Sequence, residues 1–487
     1  MNSMNYGNLF AITLPETILE VVSLLVLILD LGWLRKSAQS TRMAAACWLG
    51  VVGSVLAIAW LVAHPQTESI AGNALVATPL VAAAQIGILV LTALVLLLSI
   101  NVEFSRNPGE FVAIVLLGTT GMMLVTGARD LLVIFVALEL LSLSLYVLTA
   151  FAKNSARSAE AALKYYLFGG MSAAFMLFGF SYLYGLTGTT NLSQMTLALS
   201  GEQLPLLVVA LVLVAAGLGF KVAAVPFHLW TPDTYQGAPA PVAALIASGS
   251  KVASFALLVA VTQGVIAPQY SANGNTWIVL LLAMAAASIV MGNLAALVQT
   301  SVRRLLAYSA IAHAGYMLLG IAANTAQSGA AVLYYALTYA LTTVGAFGVI
   351  AIVERATGSD RMDAFAGLSR RNPLLAATML IFLLSLAGIP PLVGFWAKFN
   401  LFAAVLRSPS AASWGLALVI MALGASAVSL YYYLQVLKRV YVVKPSHTEP
   451  LPVSPLEITV LLLIALAVVA LGFLPGALAG WIPLGSF

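Results

Sequence analysis

The chain has 487 residues, 62% of them hydrophobic and 8% charged, with a formal net charge of +5 and a mean hydropathy of +1.04. A soluble domain carries about 25% charged residues, so this composition excludes a water-soluble globule. Solid apolar runs exclude a membrane β-barrel, whose strands alternate over segments of about 10 residues.

Fourteen apolar spans follow one another along the chain. Their expected limits are 11–33, 43–63, 78–100, 111–128, 130–151, 163–186, 204–229, 240–262, 276–297, 304–323, 330–353, 373–406, 412–437 and 456–480. Each can cross roughly 30 Å of hydrocarbon as a helix rising 1.5 Å per residue. We number them helices 1 to 14. The connections are too short for a soluble domain, so residues 1–487 form one all-α, polytopic membrane domain. The N-terminal MNSMNYGNLF lacks the basic start of a signal peptide, and helix 1 is expected to be retained.

Basic residues fix the expected orientation. Alternate loops carry Arg35, Lys36, Arg42, Arg106, Lys153, Arg157, Arg303, Arg304, Arg355, Arg361, Arg370, Arg371, Lys438, Arg439 and Lys444, whereas the opposite set carries Arg129 and Arg407. The Lys/Arg-rich side of a membrane protein faces the cytoplasm. Both termini are then expected on the outer, periplasmic side. The positive charge is accounted for by topology, without nucleic-acid binding.

Two spans are interrupted by proline. Pro226 in helix 7 cannot donate to the carbonyl of Val222, and Pro390 and Pro391 in helix 12 free the carbonyls of Leu386 and Ala387. Broken helices in matching places of two halves point to an inverted repeat with a site between them. Helices 4–8 (106–262) and 9–13 (263–440) would be two five-helix halves, leaving helices 1–3 (1–105) and helix 14 (441–487) outside.

Charged residues lie inside these spans: Glu139 in helix 5, Lys164 in helix 6, Lys221 in helix 7, Lys251 in helix 8 and Lys398 in helix 12. A charge at the centre of a membrane helix costs roughly 2.5–3.5 kcal/mol on insertion scales and marks ion paths, proton relays or partner charges. Glu139 is either a neutral carboxyl hydrogen-bonded in the bundle or a titrating partner of a lysine, and it is expected to be the one carboxyl deep in the membrane. Lys221 sits beside the helix 7 break, where spare carbonyls and water are expected. Lys251 lies about eleven residues from either end of its helix, beyond the reach of snorkelling; its neighbours Ser248, Gly249, Ser250 and Ser254 leave room for a water chain. Lys398 lies past the helix 12 break, with an outer-leaflet snorkel as the alternative. Lys164 starts helix 6 four residues after Glu160, where an i,i+4 ion pair is an ordinary structural device.

His228, at the end of helix 7, and His313, within helix 10, are candidates for passing a proton between two ring nitrogens. Burial disfavours the charged form of lysine or glutamate, while a Glu–Lys pair favours both charges, so making and breaking such a pair moves protons. A row of ammonium groups repels a bare cation, which argues against a sodium site. One cysteine, Cys47, excludes an intramolecular disulfide and a cysteine-ligated iron–sulfur cluster, and there is no CxxCH haem motif. His64, His228, His313 and His447 share no helix face, and no Gly-rich nucleotide loop is present. Redox chemistry is therefore expected on other chains, with no cofactor or metal on this one.

Three long motifs carry a family resemblance. GFKVAAVPFHLWTPDTYQGAPAPV (219–242), with Lys251 nine residues later, RRLLAYSAIAHAGYM (303–317) and LLSLAGIPPLVGFWAKF (383–399) resemble the antiporter-like membrane subunits of respiratory complex I. The likeness runs from about helix 4 to helix 13. A lysine rather than a glutamate at position 398, a chain ending just after helix 14 and the wording HLWTPDTYQGAP resemble the N-type members of NADH:quinone oxidoreductase, with their counterparts in the related photosynthetic complex next.

The resemblance implies a proton-translocating subunit driven by NADH oxidation and quinone reduction on partner subunits, beside M-like and K-like neighbours in a bacterial inner membrane. It implies that Glu139 pairs with Lys221, that Lys251 is the central lysine, that Lys398 precedes the outer exit and that Lys164 matches a helix 6 lysine. Three rivals stay open: an Mrp-type cation/proton antiporter subunit, a membrane scaffold whose buried charges lock helices together, and a solute carrier.

Overall fold

A computed structural model describes residues 6–65, 67–70, 72–102, 106–198, 205–265, 271–444 and 449–483. His447 and both extreme termini lie outside these residues. Among the described residues, thirteen helices are long and apolar enough to cross a membrane. The remaining crossing, helix 12, is built from two shorter pieces, Pro373–Ala387 and Val393–Arg407. All fourteen expected spans are therefore helical, and the chain is a multi-pass membrane protein.

Several helices start earlier than the apolar pattern suggests. Helix 4 begins at Pro108, helix 6 at Ala156 and helix 11 at Ala326. Polar caps explain the difference. Ser155 accepts from Ser158 N and closes the start of helix 6, and Thr325 with Ser328 forms a capping box at helix 11. Such first turns are polar because they satisfy otherwise unpaired backbone N–H groups. Lys164 consequently lies in the third turn of helix 6 rather than at its start. The loop between helices 2 and 3 holds a small antiparallel hairpin, Glu68–Ile70 with Leu75–Ala77, which the sequence did not signal.

Helices 8, 10 and 11 form the interior. All of the apolar window of helix 8 is buried, as is 94% of that of helix 10 and 89% of that of helix 11. Helix 11 (Ala326–Thr357) touches helices 3, 8, 10, 12 and 14. Small residues allow this close packing: at Gly292 an added Cβ would lie 2.6 Å from Ala312 N, so helices 9 and 10 meet backbone to backbone. Helices 1, 2, 6, 13 and 14 carry exposed large apolar side chains such as Leu24, Val55, Phe178, Leu423 and Leu466, as a lipid-facing surface requires.

Glu139 is not the sole carboxyl inside the membrane. Glu16 and Asp30, both in the first span, are 5% and 2% exposed. Asp30 sits in a π-helical turn, Leu29–Trp33. It takes a two-pronged bond from Arg42 (2.7 Å to each oxygen) and one from Gly109 N (3.1 Å). This pair ties the turn between helices 1 and 2 to the start of helix 4.

Candidate functional site

Helix 7 does more than kink at its proline: it stops. The helix runs Pro205–Val222, and residues 223–229 form turns rather than the end of a helix. Ala223 takes a left-handed φ of 61°, a conformation that costs a non-glycine residue roughly 1–2 kcal/mol. Ala224 N then bonds back to Gly219 O (2.8 Å), the six-to-one closure of a Schellman turn. Ser288 of helix 9 steadies the loop by accepting from Val225 N (2.8 Å).

Helix 12 breaks in the same manner. Gly388 has φ 89°, and Ile389 N bonds back to Leu384 O (3.1 Å). Each break contains a cis proline peptide, Val225–Pro226 and Pro390–Pro391.

Both terminated helices leave carbonyls without intrahelical donors, and a helix C-terminus carries about half a negative charge. Buried lysines fill these positions. Lys251 Nζ, from helix 8, donates to Val222 O (2.7 Å). Lys398 Nζ, from the second piece of helix 12, donates to Leu386 O (3.1 Å), Ala387 O (2.8 Å) and Ser426 Oγ of helix 13 (2.7 Å). The carbonyls freed by Pro226, Pro390 and Pro391 are thus the acceptors of the two most enclosed lysines. Lys251 is 1% exposed and Lys398 6%, which removes the snorkelling alternative for Lys398 within this chain. Each ammonium also lies over an aromatic face, Lys251 over Trp230 (5.6 Å) and Lys398 over Tyr316 (5.5 Å).

Helix 8 carries a third break that no proline announces. It consists of Ala240–Ala247 and Gly249–Val265, with Ser248 at φ −117°, ψ −88° between them. Lys251 is therefore in the first turn of the second piece. The serines expected to leave room for water satisfy their own helix: Ser248 Oγ donates to Ala244 O (2.6 Å), Ser250 Oγ to Ile246 O (2.6 Å) and Ser254 Oγ to Ser250 O (2.7 Å). Such back-bonding bends or interrupts helices.

The Glu139–Lys221 ion pair is not formed among the described residues. Lys221, in the last turn of helix 7, donates to Ser142 Oγ (2.5 Å), and Glu139 Oε1 has no hydrogen-bond partner. Ser142 lies three residues after Glu139, about one turn along helix 5, and offers Lys221 the nearer acceptor. The spare carbonyl expected beside Lys221 goes to Lys251 instead.

His313 and His228 differ sharply. His313 Nδ1 meets Tyr335 OH (2.7 Å), and its Nε2 faces Tyr433 OH (3.5 Å), which in turn bonds to Ser309. Tyr316 and Tyr432 meet at Asn293, the first accepting from Asn293 Nδ2 and the second donating to Asn293 Oδ1, at 3.2 Å each. This polar network fills the space between helices 9, 10, 11 and 13. His228 is buried in the loop after helix 7 with Nδ1 unpartnered.

Lys164 stands apart from the enclosed lysines at 40% side-chain exposure, bonding to Glu160 (2.7 Å) and Asp233 (2.8 Å). Asp233 also takes Arg304 (2.6 Å). Burial pushes the Asp233 carboxyl up, but Lys164 and Arg304 outweigh it and hold the group below its ordinary range. Asp233, Trp230, Ser142, Ser426, Asn293, Tyr335 and Tyr433 are site residues that the charge pattern missed. Asp233 and Trp230 stood within the HLWTPD motif; an isolated Ser or Tyr in an apolar span gives no signal.

Broken helices with lysines on their freed carbonyls define a transporter-like bundle of the antiporter-subunit class. The family model described as NADH:quinone oxidoreductase/Mrp antiporter, transmembrane, matches residues 128–426, and the chain belongs to this family. It is 49% identical to NADH-quinone oxidoreductase subunit N 2 of Acidobacterium capsulatum, over 99% of this chain and 100% of that one. A chain of respiratory complex I from Thermus thermophilus superposes with a TM-score of 0.80 at 37% identity, covering 97% of this chain and all of that one. A chain of the Mrp complex from a Dietzia species shares the fold at a TM-score of 0.79 and 21% identity, over 96% and 97% of the two chains. The resemblance to antiporter-like subunits of the N type, drawn from three motifs, agrees with these relatives.

Proposed function

We propose that this chain is a proton-translocating membrane-arm subunit of an NADH:quinone oxidoreductase, working beside M-like and K-like neighbours and holding no redox cofactor itself. The observation that carries the reading is the placement of Lys251 and Lys398 on the carbonyls left open by the breaks in helices 7 and 12. A charge held by a helix end, rather than by a fixed counter-ion, can be gained or lost with a small shift of that end.

The route runs from the cytoplasmic, basic face to the periplasmic face, on which both termini lie. A cavity of 530 Å³ opens on the basic face, lined by Ala238, Pro239 and Ala240 at the start of helix 8 and by Arg303 at the start of helix 10. Protons pass the helix 7 break, where Lys221 and Ser142 stand, and reach Lys251. They continue through the His313–Tyr335–Tyr433 network to Lys398. A second cavity of 220 Å³ on the opposite face is lined by Tyr334 of helix 11 and by Asn400 and Arg407, on the outer half of helix 12 that follows Lys398 in the chain. Glu139, with an unpartnered oxygen one turn from Ser142, modulates the charge on Lys221. Helices 4–8 and 9–13 act as inverted halves around this line. Lys164 belongs to the surface ion cluster with Asp233 and Arg304, and His228 is outside the line.

The test is Lys251→Ala in native membranes. Loss of NADH-driven proton uptake and quinone reduction in an assembled complex supports the reading. Sodium-dependent transport persisting without the dehydrogenase subunits would move the assignment to the Mrp-type reading.

A further inference from the structure

Helix 1 lies outside both expected repeats, yet it buries a carboxyl that no part of the lysine line uses. Glu16 follows Pro15 and is 5% exposed. One oxygen, Oε1, accepts from Gln85 Nε2 of helix 3 (3.0 Å), and the same amide reaches Met123 O of helix 4 (3.3 Å). The other oxygen, Oε2, is buried with no hydrogen-bond partner. An unpaired buried carboxylate oxygen is costly unless a proton or water satisfies it.

Space for that water exists. A 40 Å³ cavity is lined by Glu16, Thr13, Gln85, Trp60, His64 and Thr78, the N-cap of helix 3, among others. A cavity needs only about 10–15 Å³ on this measure to hold one water, and a polar lining is what keeps such a water in place. The lining comes from the ends of helices 1, 2, 3 and 4 that lie opposite the basic loops, so the cavity faces the sparsely charged side. His64 stacks on Trp60 with ring centroids 3.8 Å apart and its Nδ1 3.2 Å from Trp60 O, and it is itself exposed. The ionisable groups facing Glu16 are His64 from helix 2 and Glu20 one turn further along helix 1; the lining from helices 3 and 4 and from the hairpin adds none. A single carboxylate beside an amide donor lacks the six or more oxygens that a bound calcium takes, which favours a proton and its water over a metal cation.

We propose that Glu16 and its cavity form a separate proton-binding site that equilibrates with the periplasmic phase. Helix 4 connects it physically to the lysine line. Met123 O takes the Gln85 amide, while the adjacent Met122 packs at Gly249, two residues from Lys251: an added Cβ on Gly249 would lie 2.9 Å from Met122 Sδ. The site is nonetheless distinct, because it depends on none of Lys221, Lys251 or Lys398.

The test uses the intact complex in right-side-out vesicles and dicyclohexylcarbodiimide, which adds to protonated carboxyls in apolar surroundings. Peptide mass spectrometry reads modification at Glu16 while the outer pH alone is varied. The expected result is labelling that falls about tenfold across the two pH units centred on the group's midpoint and disappears in Glu16→Gln. Gln85→Leu, which removes the amide donor, should shift that midpoint upward, since a donor to the charged form is lost. Absence of labelling at every pH, or labelling indifferent to the outer pH, would overturn the proposal. The wild-type titration decides the matter even if a variant fails to assemble, and it is independent of whether the lysine route holds.

Discussion

Replacing Lys398 by methionine isolates what its charge contributes. The ammonium has three N–H donors and three acceptors: Leu386 O, Ala387 O and Ser426 Oγ. Hydrogen bonds to a charged group contribute about 1.5–3 kcal/mol each, roughly 4.5–9 kcal/mol together. Taking the ammonium out of water costs several kcal/mol, so the two effects nearly offset. Methionine keeps much of the stem volume and removes both. Ala387 O retains a donor in Ser426 Oγ at 3.3 Å, leaving Leu386 O as the group that loses its side-chain partner, at about 1–3 kcal/mol. A loss of that size leaves the subunit assembled.

Lys398→Arg provides the complementary case, because it keeps the charge but cannot release a proton. Native gels would follow assembly, and vesicle acidification would be measured against NADH oxidation. Both variants should assemble and both should lose proton translocation. Wild-type translocation by Lys398→Met would refute the reasoning. So would full activity in the arginine variant together with failed assembly of the methionine one, since the charge would then be structural.

Two further changes probe the frame around the path. Glu457, 2% exposed at the start of helix 14, takes a two-pronged bond from the partly exposed Arg355 at the end of helix 11 (2.6 and 2.8 Å) and closes a capping box with Ser454; Glu457→Ala should cost about 1–2 kcal/mol by removing the ion pair and the cap and expose helix 14 to protease. Asp233 is held below its ordinary range by Lys164 and Arg304 against the opposing effect of burial. Its stabilising contribution is therefore present above the usual carboxylate range and fades as pH falls through the depressed value; being partly exposed, it is worth at most about 1 kcal/mol. Asp233→Asn should lower the thermal midpoint slightly at neutral pH and leave it unchanged in acid.

The sequence made the breaks in helices 7 and 12 legible because a proline's missing N–H acts on a definite carbonyl four residues back. Val222, Leu386 and Ala387 could be named from that rule alone, and they are the carbonyls the lysines occupy. Which lysine reaches which carbonyl was not legible: Lys251 crosses from helix 8 to helix 7, a tertiary choice, and leaves Lys221 to Ser142. The helix 8 break at Ser248 has no proline to mark it. Glu16 escaped because a single carboxyl near the end of a span reads as interfacial until its neighbours close over it. Helix starts were misplaced wherever a polar cap preceded the apolar run, as at Ser155 and Thr325.

The most direct test records proton uptake and NADH-driven quinone reduction together in native membranes carrying Lys251→Ala, after assembly has been verified. A proton path through the helix-break lysines predicts that both activities are lost in the assembled complex. Both activities at wild-type levels would contradict it and reduce the buried lysines to structural locks.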